Sequence, residues 1–530
     1  MTRTQNSFYN MVTSFGANIL VVLLNFITRS VFIYCLGKSY LGIEGYFSNV
    51  LTMLSLAELG FGTAIVYKLY KPIEEQDRPR ILALMKLYRQ IYRGIGCVIV
   101  LLGLCLIPLL PVLVKDYEKF AQLNLSAVGV FLLYLFNSAC SYWFFAYKTS
   151  YVYANQKTYI LTTIGYAITI GTSVCQILAL VLTHNFIVYL VTQIGFNILR
   201  NLINSIICDR RYPYLKEKTD DTISKTERRQ IFKDCFALLL HRANGVVIEA
   251  SDNIVLSAIA GLDAVGLYSN YLAIKLALRN LLLVFTDSIQ SSVGSIYSTG
   301  NIEWTRTVWR VVNFLAVWLY GIGAIGIAVL LNDFITIWPY VGPDFVVTHW
   351  LGVNGVTYTV PLALLVGIEL YFYGQARYVG MFRVSLGLFQ PLKYRPIASI
   401  LINLIVSILT VPYLGMGGCV VGTIVSTVTT DMLVDPMVIH KYALKQKPAR
   451  YYLKNVLYAV VVSAAGILSW MLCRLTPVPG FFGFILHGVI CVIVPCCVFA
   501  LCFFRTMEFR FLINTMKTLV QKLFRGKQNE

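Results

Sequence analysis

The chain has 530 residues, of which 57% are hydrophobic and only 13% charged, and its mean hydropathy is +0.69. That leaves too little polar surface for a soluble globule, so the bilayer is the solvent. The net charge of +19 lies in short connections beside apolar stretches, where lipid headgroups attract it, which argues against nucleic acid as a partner.

Of the 44 Lys and Arg residues, about 35 fall in alternate connections or at the two ends, the positive-inside pattern of a multi-pass protein with both termini in the cytoplasm. A hydrocarbon core about 30 Å thick needs roughly 20 helical residues. The expected fold is therefore an all-α polytopic membrane protein of about fourteen spans. In chain order they fall near 9–36, 41–67, 93–114, 121–147, 157–182, 185–208, 233–260, 264–297, 306–331, 351–376, 396–413, 416–440, 452–474 and 481–504.

The first stretch runs past Asn25 and Arg29 without a cleavage site, so the first span is expected to be its own targeting signal. Between the second and third, Leu69 to Arg93 mixes Leu, Met, Tyr and Ile with Lys and Arg, which predicts a helix lying on the inner leaflet. The tail from Arg510 to Arg525 has the same character. The largest outer connection, Asn332 to Trp350, carries Trp338, Tyr340 and Trp350 as an interfacial belt would. The thirteen cysteines are scattered through apolar segments with no CxxC pair, so neither a metal site nor a disulfide framework is expected. No nucleophile constellation or phosphate-cradling loop is present either, which points away from an enzyme.

A repeat organises the chain. LGKSYLGIEGYFSN (Leu36 to Asn49) lies over AGLDAVGLYSNY (Ala260 to Tyr271) when Gly37 is set on Gly261 and Gly42 on Gly266. Spans 1 and 7 then correspond, which implies two parallel six-helix lobes, 1–208 and 233–440, joined by a cytoplasmic linker at 209–232. Two extra spans at 441–504 and a basic cytoplasmic tail at 505–530 complete the expected organisation. In this register Asn18 meets Arg242, Asn25 meets Glu249, Thr28 meets Asp252 and Arg29 meets Asn253. At 100° per residue, Asn18, Asn25 and Arg29 share an arc of about 40°, and Arg242, Glu249 and Asp252 one of about 80°. Each helix thus carries a polar stripe suited to a cavity rather than to lipid.

Five basic residues sit inside spans: Arg29, Arg200, Arg242, Lys275 and Arg279. Each costs about 2.5–3.5 kcal/mol at the bilayer centre on insertion scales, a cost sustained where the charge meets water, a partner or a ligand. Arg29, Arg242, Lys275 and Arg279 are the candidate cationic cavity for an anionic substrate. Lys275 and Arg279 share a face with no acid between them. Glu58, Glu249 and Asp252 are candidates for pairing or for coupling to Na⁺ or H⁺, and Asn18 and Asn25 extend the polar stripe. Glu369, Asp431 and Asp435 are expected near inner helix ends, solvated there, and Arg200 is expected to pair on the cytoplasmic side.

The stretch FITRSVFIYCLGKSYLGIEGYFSNVLTMLSLAELGFGTAIVYKLYKPIEEQD, Phe26 to Asp77, resembles the bacterial polysaccharide repeat-unit flippases of the multidrug/oligosaccharidyl-lipid/polysaccharide exporter superfamily. SDNIVLSAIAGLDAVGLYSNY, Ser251 to Tyr271, is similar to their second-lobe motif. The resemblance implies a V-shaped, alternating-access transporter of the bacterial inner membrane. Its implied cargo is an undecaprenyl-pyrophosphate oligosaccharide destined for capsule, O-antigen or exopolysaccharide, with membrane lipids, a polysaccharide polymerase and assembly proteins as partners and no cofactor. Arg29, Glu58 and Asp252 stand inside the matching motifs. Two other readings are a cation-coupled drug exporter of the same superfamily, whose cavity would be acidic, and a membrane polymerase or ligase.

Overall fold

A computed structural model describes residues 3–54, 75–113, 117–123, 125–143, 147–155, 158–217, 223–298, 301–338, 362–386, 390–478 and 480–514, with short pieces between them. Within these, the side chains of 3–19, 233–244, 284–292, 294–298 and some single positions lie outside the description.

The described residues are almost wholly helical. Helix α1 is Arg3–Leu36, α2 Lys38–Leu54, α3 Arg78–Leu106, α4 Ala127–Trp143, α5 Tyr147–Ala154, α6 Thr158–Thr183, α7 Phe186–Arg211, α8 Lys225–Ala260 and α9 Leu262–Ser298. They are followed by α10 Ile302–Ile337, α11 Leu362–Ser385, α12 Arg395–Leu414, α13 Met416–Ser426, α14 Ala449–Leu475 and α15 Gly480–Phe503. Among the described residues, 8 helices are long and apolar enough to cross a membrane, and Leu20–Leu36 and Ala127–Trp143 are shorter apolar ones. The expected all-α polytopic architecture is what the chain forms.

Side-chain caps fix where these helices begin. Asn185 accepts from the Ile187 and Val188 amides at the start of α7, Ser224 from Glu227 at α8 and Asn301 from Trp304 at α10. Each satisfies an amide that has no partner within its own helix. Asp77 does the same for α3, with Pro79 in its first turn. This corrects one expectation: Arg78 to Arg93 is not a separate surface helix but the first half of α3. Its apolar positions Ile81, Leu84, Tyr88, Ile91 and Ile95 are buried, and the packing against α4 and α5 that results outweighs attraction to the leaflet. A second boundary also moves. Span ten was expected from residue 351, yet α11 starts at Leu362. Ahead of it Trp350 and Leu351 pair antiparallel with Tyr358 and Thr357, in a stretch rich in β-branched residues.

The described residues fall into two compact units, one through Ser269 and one from Asn270 on. Within the first unit α8 packs on α2. The two repeat turns meet there. Gly37 at φ +89° and Gly261 at φ +95° each form a break of a single residue between helices, a left-handed conformation that glycine alone adopts at little cost. Ser39 Oγ donates to Asp263 Oδ1 at 2.9 Å, and a Cβ on Gly42 would collide with the Leu262 carbonyl. Aromatic rings fill the interior of this unit: Phe47 lies 5.6 Å from Phe131 and 5.9 Å from Tyr134.

In the second unit Trp309 is surrounded by Tyr378, Phe382, His440 and Tyr451. Helices α12 and α13 pack with polar and small residues inside and apolar ones outside, as expected of membrane helices. Ser399, Asn403 and Ser407 are buried, whereas Leu401, Ile405 and Leu409 are exposed. Asn403 Nδ2 donates to Thr423 Oγ1 at 3.1 Å, and Gly422 leaves room for Ser407. Beyond α13 the helix passes through a π-helical turn at Thr427–Met432. The carboxylates there form a buried network: Arg383 donates to Asp435 Oδ2 at 2.5 Å, and Arg395 pairs with Asp431 and lies 3.5 Å from Asp435. Asp435 is fully buried and Asp431 mostly so. Solvation at a helix end is therefore the wrong account of these two residues; their arginines compensate them. The described start of the tail, 507–514, is helical and packs back on this bundle, and the rest of the expected surface helix, 515–525, lies outside the described residues. Phe509 lies 6.0 Å from Trp318, Phe511 lies 5.9 Å from Trp304, and Lys454 donates to Glu508 at 2.8 Å.

Two predictions follow from this packing. A Cβ on Gly367 would come within 2.6 Å of the Ala324 carbonyl, so Gly367→Val should cost about 1–3 kcal/mol and lower the thermal unfolding temperature in detergent. Gly488→Val, where no atom lies within 4 Å, should leave it unchanged. The second concerns Glu508. Burial pushes its carboxyl up, but the Lys454 hydrogen bond and the nearby Lys454 and Arg310 charges outweigh this and hold it below the ordinary carboxylate range. Its contribution is thus complete above the unfolded value of about 4.3 and fades as pH falls through the lower folded value. A spin label at position 514 should gain mobility over that acidic window, and Lys454→Met should produce the same mobility at neutral pH.

Candidate functional site

In the first unit, α1 places Arg29 one turn before Phe32 and Ile33, which are buried. The half-buried Arg29 guanidinium donates to Ser269 Oγ at 2.5 Å, and Ser269 Oγ donates to the Gly266 carbonyl at 2.6 Å. The opposing charge comes from α2: Glu44 is within electrostatic reach of Arg29. Glu44 accepts a hydrogen bond from Tyr189 on α7 at 3.0 Å, and Tyr189 is also hydrogen-bonded to Gln176 on α6. The Tyr189 ring meets Phe32 edge-on at 5.0 Å. Four helices besides α1 thus converge on one arginine.

The second unit holds the other group. On α9, Tyr271, Lys275 and Arg279 recur every four residues along one stripe, and each has a partner on a neighbouring helix. Tyr271 donates to Asn332 Oδ1 at 3.0 Å. Lys275 Nζ donates to both oxygens of Glu369, at 2.7 and 2.8 Å. Arg279 lies over the Tyr373 ring, 4.9 Å from its centroid. Glu369 and Tyr373 are themselves one turn apart on α11, so two rungs of equal spacing join α9 to α11. Both members of the first rung are buried.

The opposite side of α11 borders an apolar cavity of about 660 Å³ between α10, α11 and α14, with Ala328, Gly367, Tyr371, Gly466 and Trp470 in its wall. At 100° per residue Tyr371 lies about 160° from Glu369 around the helix. One helix therefore presents a charge-pairing face and an apolar groove on opposite sides.

Of the remaining candidates, Asp252 on α8 is buried, while Glu249 on the same helix and Asn25 on α1 are exposed. Glu58 lies outside the described residues, as do the side chains of Asn18 and Arg242. Arg200 is exposed, with its guanidinium 3.5 Å from Asn197 Oδ1. One expectation needs correction: Glu369 is a buried partner of Lys275 rather than a solvated helix end. Among the described residues no group of His, Cys, Asp or Glu is arranged to hold a metal ion.

Sequence reasoning missed Glu44, Tyr189, Gln176, Ser269 and Tyr373. For Glu44 the signal was available: a carboxylate inside the GIEGYFSN turn motif, as costly within a span as the arginine it balances.

The family model described as "Polysaccharide biosynthesis protein" matches residues 5–289, more than half of the chain. The lipid II flippase MurJ in its inward closed conformation has a TM-score of 0.66 at 16% identity, over 95% of this chain and 100% of that one. An inward-facing multidrug resistance MATE family transporter of the MOP superfamily has 0.54 at 14%, over 79% and 96%. The Vibrio cholerae MATE transporter VcmN has 0.51 at 13%, over 84% and 99%. No curated protein matches the chain. The structural likenesses establish a shared fold, and the sequence match establishes kinship: the chain belongs to the Polysacc_synt family of polysaccharide biosynthesis proteins.

Proposed function

We propose that the protein is a non-enzymatic transporter that moves undecaprenyl-pyrophosphate-linked oligosaccharide units across the bacterial inner membrane by alternating access, from the cytoplasmic to the outer leaflet. The observation that carries this reading is the two-sided helix α11. A lipid-linked oligosaccharide has a doubly phosphorylated head and a long prenyl tail, and it needs cations for the one and an apolar groove for the other. Lys275 and Arg279 lie against one face of α11, and the groove lined by Tyr371 and Trp470 borders the other. Charge-assisted hydrogen bonds to phosphate are the strong, directional kind that this head requires.

Family membership favours a saccharide cargo over an organic cation. The basic connections support cytoplasmic placement of both ends. To the buried Asp252 we assign coupling to Na⁺ or H⁺, and we propose that a polymerase and assembly proteins receive the delivered unit for capsule, O-antigen or exopolysaccharide synthesis.

The test is transbilayer movement of a fluorescent polyprenyl-pyrophosphate oligosaccharide in proteoliposomes at matched insertion. Arg279→Ala should slow movement about tenfold or more, the scale of one lost charge-assisted bond. Gly466→Leu, which fills the groove, should slow it while leaving soluble pyrophosphate binding intact. Absence of protein-dependent movement, together with export of organic cations, would replace this reading with the drug-exporter one.

A further inference from the structure

Among the described residues, buried ion pairs are of two kinds. Most belong to networks. Lys148 donates to Asp209 Oδ1 at 2.6 Å and to Ser205 Oγ at 2.8 Å, while Lys216 approaches the other Asp209 oxygen at 3.7 Å. Arg383, Arg395, Asp431 and Asp435 compensate one another, and Thr430 adds a hydroxyl to Asp431 at 3.1 Å. Such supporting bonds are what make a desolvated charge tolerable.

The Lys275–Glu369 pair has none. Its two bonds, at 2.7 and 2.8 Å, both run from one ammonium to one carboxylate. The side chains are only 6% and 11% exposed, so water does little to replace the missing partners. Among the described residues neither group bonds to anything else. An ammonium has three donors, and one of them is left unspent. As a structural device this is a poor arrangement, since a buried pair without further hydrogen bonds stabilises less than an apolar pair of the same shape.

We infer that Glu369 is an internal counter-anion, a specificity-determining residue that holds the place of the cargo's phosphate on Lys275 and admits only a ligand able to displace a carboxylate. The inference rests on the cargo reading above and deepens it. In a bacterial membrane the anionic phospholipids far outnumber any cargo. Unguarded, Lys275 would carry one of them. A phosphodiester brings a single negative charge and gains little by replacing a carboxylate of equal charge. A diphosphate esterified at both ends, by prenyl and by sugar, brings two charges and more acceptor oxygens, and it can also use the third ammonium donor. Rejecting the wrong anion by making it compete is specificity through an unfavourable alternative rather than through added attraction.

The test compares binding of farnesyl pyrophosphate and of phosphatidylglycerol to the full-length protein in neutral detergent. The wild type should prefer the diphosphate. Glu369→Gln should bind both ligands more tightly and phosphatidylglycerol disproportionately so, reducing the preference roughly tenfold, within the range of coupling energies of close charge pairs. Lys275→Ala/Glu369→Gln should lose the gain. Lys275→Arg keeps both the charge and the pair but grips the carboxylate through two parallel bonds. It should bind the diphosphate more weakly than wild type, which makes it informative even if Glu369→Gln proves unstable. An unchanged preference in Glu369→Gln, or tighter diphosphate binding by Lys275→Arg, would overturn the counter-anion role and leave the cargo reading standing. A wild type with no preference for the diphosphate would overturn both.

Discussion

Compensation of charge where no water can supply it is the constraint on which this structure depends. A bilayer hydrates nothing, so every ionised group within it must find an opposite charge, an oriented dipole or a ring face in the protein. The chain answers with pairs drawn from different helices: Arg29 with Glu44 and Ser269, Lys275 with Glu369, and Arg279 with the Tyr373 ring. These contacts decide which helix faces meet, because a helix rotated out of register would strand a charge in lipid. Neutral packing then follows the same solvent rule in reverse. In α12 the serines and asparagine turn inward and the leucines and isoleucines outward.

Glycine positions make such close arrangements possible. Gly37 and Gly261 reverse the chain within a single residue, which brings α2 against α8 and the beginning of α9 and sets Ser269 where Arg29 can reach it. Gly367 lets α11 approach α10 closely on its groove side, while Glu369 and Tyr373 on its other side accept the cations of α9. Local backbone freedom and long-range charge pairing are thus two parts of one design.

Much of this was legible in the sequence. Hydropathy located most spans, the basic connections ordered them, and the repeat picked out two glycines that share one unusual backbone conformation. Arg29, Lys275 and Arg279 stood out because a cation inside a span is expensive enough to need a reason. Their partners did not stand out. Glu44 lies fifteen residues from Arg29 on the next helix, and Glu369 lies ninety-four from Lys275. Neither distance carries a periodic signal, so a one-dimensional reading can price a charge but cannot say what answers it. The start of α3 was misread for a related reason. Mixed apolar and basic residues look alike whether the apolar face meets a leaflet or other helices, and only the packing of Tyr88, Ile91 and Ile95 distinguishes them. Span ten was placed early because hydropathy does not separate a β-branched connection from a helix.

A carrier of a lipid-linked anion faces a problem that a soluble binding protein does not, because its cargo's competitors form the solvent. Paired rather than bare cations, set beside an apolar groove, suit that problem. The most direct measurement is native mass spectrometry of the protein extracted from cells that assemble lipid-linked oligosaccharides. The account predicts a bound species with the mass of a polyprenyl-pyrophosphate oligosaccharide, retained by the wild type and lost when Lys275 and Arg279 are both replaced by alanine. Bound phospholipid alone, unaffected by those replacements, would contradict it.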